Sequence, residues 1–107
     1  MPADASSFNL NVHIDVRRKL NSHVSFLANV SVSASVRLRD EFAQALRSLR
    51  RKPHRYPKYY SPFGVTDELR YRFCSKQRYR IVFKVVDNTV YIIDVQDCRQ
   101  DTEANYV

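Results

Sequence analysis

The chain has one glycine and four prolines in 107 residues, too few of either for a collagen-like or low-complexity polypeptide. Its two cysteines, Cys74 and Cys98, form no CxxC pair and have no His/Cys spacing that suits a metal. That excludes a disulfide framework and leaves buried free thiols as the expectation. No apolar run comes near the roughly 18 residues that span a bilayer. Met1–Asn11 has neither a basic start nor a signal-like apolar stretch, so the chain reads as cytoplasmic, with no membrane partner. The length does not allow two cores, since single domains most often run about 100 to 150 residues, and one domain over 1–107 is expected. What is present is an ordinary globular composition, 44% hydrophobic and 27% charged.

Negative charge is scarce as well. Asp and Glu number 11 against 18 Lys and Arg, leaving a formal charge of +7 that points to a polyanionic or acidic partner. The excess is central. Arg37, Arg39, Arg47, Arg50, Arg51, Lys52, Arg55 and Lys58 face only Asp40 and Glu41 between residues 37 and 58, whereas acids outnumber Arg99 from Asp87 onward. Ordinary solubility accounts for a mild excess of this kind equally well.

Met1–Ser7 is small and polar and reads as a loose leader. Phe8–Ile14 alternates with period two, which predicts a short strand burying Phe8, Leu10, Val12 and Ile14. Asp15 suits a helix N-cap. Val16, Leu20, Val24 and Leu27 follow at helical spacing, so a helix to about Asn29 is predicted. After a break at Ser31–Ser33, a second helix is predicted from Ser33 or Ser35, with Val36, Leu38, Phe42, Ala45, Leu46 and Leu49 inward. Its basic end, Arg50-Arg51-Lys52, suits the helix dipole and precedes Pro53. Pro53–Pro62 interleaves Tyr56, Tyr59 and Tyr60 with His54, Arg55 and Lys58, and its prolines preclude a regular helix. Such tyrosines anchor a surface loop to the core, or they stack bases beside cations that hold phosphates.

The C-terminal half alternates most clearly. Leu69–Lys76 and Arg78–Val86 read as an antiparallel hairpin, Asp87-Asn88 as the next turn, and Val90–Val95 as a third strand inside the sheet. If Leu69, Tyr71, Phe73, Tyr79, Ile81, Phe83 and Val85 all face the helices, then Arg70, Arg72, Lys76, Arg78, Arg80 and Lys84 share the opposite face. Like charges across adjacent strands repel by roughly 0.2–1 kcal/mol per pair. Such a face suits a nucleic acid or another acidic partner better than it suits stability.

The succession of strand, two-helix hairpin, Pro/Tyr loop and antiparallel three-stranded meander, an α+β chain, resembles the RelE/ParE superfamily of bacterial toxins. The residues that carry the resemblance are Arg78-Tyr79-Arg80-Ile81-Val82-Phe83-Lys84-Val85, then Val90-Tyr91-Ile92-Ile93-Asp94-Val95, then Asp97-Cys98-Arg99-Gln100-Asp101. The resemblance implies one of two activities: mRNA cleavage in the ribosome without a metal or cofactor, or poisoning of DNA gyrase. It also implies a cognate antitoxin with an acidic, amphipathic tail. By position it implies phosphate-binding or transition-state cations at Arg80 and Arg99, a terminal acid/base tyrosine at Tyr106, and a basic pair at Arg70 and Arg72, which with Lys76, Arg78 and Lys84 of the same alternating face are the candidate nucleic-acid contacts.

Cleavage by 2′-hydroxyl attack needs a proton acceptor as well as cations. Arginine stays protonated at neutral pH, so Arg70 and Arg72 do not serve as that base. Asp97-Cys98 stands where many nuclease members carry a histidine or a basic residue, and His13, His23 and His54 read as surface or packed residues. The nuclease and the gyrase inhibitor both remain open, as does a non-toxic basic module of the same fold that binds nucleic acid or protein.

Overall fold

A computed structural model describes residues 7–60 and 68–98. The chain runs β1 (Asn9–Val12), α1 (Ile14–Ala28), α2 (Val32–Leu49), a 3-10 turn (Pro53–Arg55), β2 (Lys58–Tyr59), β3 (Leu69–Cys74), β4 (Tyr79–Val86) and β5 (Thr89–Asp97). The strands form one mixed sheet in the order β1-β5-β4-β3-β2, with β1 parallel to β5 and every other pair antiparallel. The expected α+β order is present, and β2 adds a short edge strand inside the Pro/Tyr segment. The predicted leader lies outside the described residues except for Ser7. No helix among the described residues is long and apolar enough to cross a membrane.

Both helices begin earlier than their serine and aspartate signals suggest. His13, not Asp15, caps α1, its Nδ1 accepting from the Asp15 backbone N–H at 3.1 Å. Ile14 is thereby drawn into the helix and left 54% exposed, so it does not extend the buried strand face. Ser31 caps α2, accepting from the Ala34 N–H at 3.2 Å, so that helix starts at Val32 and Val36 falls on its outer side. Val16, Leu20, Val24 and Leu27 of α1, with Leu38, Phe42, Ala45 and Leu49 of α2, pack on Ile81, Phe83, Val90, Ile92 and Val95. In the Pro/Tyr segment Tyr59 is buried and Tyr56 packs on the core, whereas Tyr60 is exposed. Cys74 is buried, but Cys98 is exposed, contrary to the expectation of two buried thiols.

The β3–β4 connection overturns the predicted faces. Cys74 pairs with Tyr79 across a four-residue loop in which Ser75, Lys76 and Gln77 have φ of 55, 55 and 69°. A loop of even length pairs odd-numbered residues with even-numbered ones. Arg70 and Arg72 therefore oppose Phe83 and Ile81 on the helix side, while Leu69, Tyr71 and Phe73 lie on the open side with Arg80 and Val82. A bulge beside Val82/Phe83 adds one residue to β5, so Ile92 and Val95 both reach the helix-side core. On the open side Tyr59, Leu69 and Val82 make a second, smaller core, flanked by Tyr71 and Ile93.

Candidate functional site

The open side of the sheet is organised around Arg80, near the middle of the strand order on β4. Its Nε and Nη2 both donate to the Gln96 side-chain oxygen, at 3.0 and 2.5 Å. Its guanidinium carbon lies 5.0 Å from the Tyr59 ring centroid and 5.6 Å from that of Tyr71. Two tyrosine faces and one amide thus fix a cation in place.

Gln96 is itself fully buried, which is tolerable because its amide has partners. Its Nε2 donates to the Tyr59 hydroxyl at 3.2 Å and to Asp94 Oδ2 at 3.4 Å. Lys19 reaches from α1 to Asp94 Oδ1 at 2.8 Å, past the point where β1 stops covering β5. The carboxylate of this network is thus satisfied by Lys19. Arg80 meets a neutral amide and makes no ion pair among the described residues. Lys84 follows on the same face of β4 by alternation, and Phe73, 39% exposed, borders Tyr71 with ring centroids 5.4 Å apart.

Arg70 and Arg72, expected on this face, are on the other one. Arg70 donates to the Tyr56 carbonyl oxygen at 2.7 Å and pairs with Glu68 at 2.9 Å. Arg72 Nε donates to the Tyr56 hydroxyl at 3.2 Å, and Arg55 Nη2 donates to the same oxygen at 2.9 Å. Burial alone would raise the Tyr56 pKa, but hydrogen bonds from Ser48, Arg55 and Arg72 outweigh it and bring the phenol down to about 8. This cluster borders an open cleft of about 330 Å³ where Tyr56 and Pro57 meet the outer part of β3.

Lys76 and Arg78 belong to the β3–β4 loop, not to a strand face: Lys76 is exposed, and Arg78 lies over the Tyr79 ring at 5.3 Å. Arg99 and Tyr106 lie outside the described residues. The predicted basic face is thus divided into Arg80 with Lys84 on the open side, Arg70 with Arg72 on the helix side, and a separate loop pair. Tyr56 and Gln96 were not singled out from the sequence as site residues. In sequence Tyr56 stands out only as one of three loop tyrosines, and nothing in the pattern points to Gln96. Such an arrangement can hold an anion on a fixed guanidinium, or present that guanidinium to an acidic surface.

Residues 11–102 match the family model described as the ParE toxin of type II toxin–antitoxin systems, parDE. No curated protein matches the chain. Among solved structures, the chain is similar to a two-site mutant of the E. coli toxin RelE in the free state, at 14% identity and a TM-score of 0.47, with 94% of each chain covered.

Proposed function

We infer the function from one premise: the chain belongs to the ParE toxin family of type II toxin–antitoxin systems. It is the toxin of such a pair, and an antitoxin is its partner. Within that frame it arrests growth in the cytoplasm by docking on DNA gyrase as an inhibitor, and does not cut mRNA in the ribosome. The observation that carries this choice is the turn of Arg70 and Arg72 to the helix side, where Tyr56 and Glu68 hold them. Among the described residues the open face then has one guanidinium, Arg80, fixed on a neutral amide and two rings, with Lys84 further along β4. The carboxylate of that network, Asp94, is already engaged by Lys19 and the Gln96 amide. Cations whose neighbouring acceptor is so held suit charge-complementary docking better than phosphodiester cleavage. The antitoxin supplies an acidic, amphipathic tail against the +7 chain.

A test is a supercoiling assay with purified gyrase and the purified chain. Inhibition with trapped DNA breaks, weakened by Arg80→Ala, is expected. Intact gyrase activity together with mRNA cleavage in a ribosome mixture would overturn the proposal. That nuclease reading has one observation in its favour, the Tyr56 phenol with Arg55 and Arg72 on its oxygen. A folded Tyr56→Phe variant separates the two, since only the nuclease reading loses activity with it.

A further inference from the structure

Away from Arg80, a cleft of about 280 Å³ opens between the second half of α1 and the strand ends of β4 and β5. His23, Phe26 and Leu27 line it from the helix, Tyr79 and Asp97 from the sheet, and Arg78 from the end of the β3–β4 loop. The buried side-chain nitrogens that lack a hydrogen-bond partner among the described residues are His23 Nε2 and Arg78 Nε, and both residues line this cleft. A buried polar group without a partner is destabilising, so two on one cleft mark a place suited to an outside acceptor.

The chemistry of the walls narrows what that acceptor is. The Arg78 guanidinium carbon lies 5.3 Å from the Tyr79 ring centroid, and the His23 ring lies 5.0 Å from the same ring. Tyr79 thus orients both groups. Arg78 makes no ion pair among the described residues. Its planar fork matches a carboxylate. Burial, and then Lys19 and Arg78, keep His23 below its ordinary pKa although Asp97 and Asp94 pull the other way. Asp97, on the same cleft and only 7% exposed, opposes a dianion such as a phosphate monoester about twice as strongly as the single charge of a carboxylate. Phe26, which lines the cleft, is 71% exposed, and Val30 and Val32, 76% and 69% exposed, follow it in the chain at the end of the helix hairpin.

We propose that this cleft is a carboxylate-binding site, in which Arg78 and His23 take an Asp or Glu side chain from an acidic, amphipathic partner segment whose apolar residues cover Phe26, Val30 and Val32. The site rests on the toxin reading only for the identity of that partner, the antitoxin. It makes the antitoxin contact a charge anchored beside an apolar patch, on a different surface from Arg80.

The test uses the full chain and nuclear magnetic resonance of the Arg78 Nε–H group and the His23 ring. The probes are a blocked heptapeptide with one glutamate among leucines and alanines, its glutamine counterpart, and a single-stranded oligothymidine octamer. The glutamate peptide is expected to shift both resonances and to bind at least about tenfold more tightly than the glutamine peptide. Arg78→Gln is expected to abolish that difference and Arg39→Gln, on the outer face of α2, to preserve it. Equal affinity of the two peptides would overturn the proposal even if Arg78→Gln failed to fold. So would the octamer moving these resonances at lower concentration than the glutamate peptide. No gyrase takes part, so failure here leaves the gyrase proposal standing, and failure of that proposal leaves this site standing.

Discussion

Replacing Gln96 by Glu puts a carboxylate where Arg80 now donates two hydrogen bonds to a neutral amide oxygen. A charged acceptor adds about 1 kcal/mol per bond over a neutral one, hence about 2 kcal/mol for the pair. The same substitution removes the Nε2 donor that lies 3.4 Å from Asp94 Oδ2 and sets two carboxylates side by side. At that separation, with an effective dielectric of about 20, the repulsion is about 5 kcal/mol. Tyr59 loses little, because its hydroxyl can turn and donate. The net loss is about 3 kcal/mol, which lowers the thermal midpoint of a domain this size by about 15 °C. Adding Asp94→Asn removes the repulsion but also the ion pair with Lys19, so it recovers only part of that loss, while Arg80 stays neutralised by the new carboxylate. Thermal unfolding followed by circular dichroism reads the stability, and induced expression reads growth arrest. The single variant is expected to fold with a lowered midpoint, the double variant to regain part of it, and both to lose toxicity. Full growth arrest by the folded double variant would refute the role given to the Arg80 charge.

Other consequences concern separate parts of the molecule. Tyr56 should ionise near pH 8 in the folded chain, visible as phenolate absorbance, and Arg72→Gln should move that ionisation upward. Because the unfolded phenol holds its proton to about pH 10, stability should rise between about 8 and 10, and denaturant unfolding across that range checks the sign. Phe83→Ala, at the centre of the helix-side core, should cost about 3–5 kcal/mol in denaturant unfolding. Thiol labelling of the native chain at pH 8 should modify exposed Cys98 well before Cys74, whose thiol burial pushes up to about 11. Comparable labelling rates would contradict the burial of Cys74.

The helices and the meander were legible because period 3.6 and period 2 can be read without neighbours. Val16, Leu20, Val24 and Leu27 face the core as their spacing predicts, and Tyr79, Ile81 and Phe83 do so on β4. The caps were read less well, since His13 and Ser31 compete with nearby residues of equal or better capping propensity. The candidate face failed at a single point. Alternation places Arg70 and Arg72 on one side of β3, but only the loop length decides which side of β4 that matches. The four-residue loop, with three non-glycine residues at positive φ, has no glycine to announce it. The β5 bulge was hidden for a similar reason, inside a nearly continuous apolar run. Gln96 became visible as a site residue only once β5 lay beside β4 and brought its amide under Arg80.

The most direct test of the central claim is induced expression of the chain without its antitoxin, with messages and chromosome sampled from the same culture. Growth arrest with intact messages and gyrase-trapped DNA breaks is the predicted result. Arrest with new 5′ ends inside translated codons and an unbroken chromosome would contradict it.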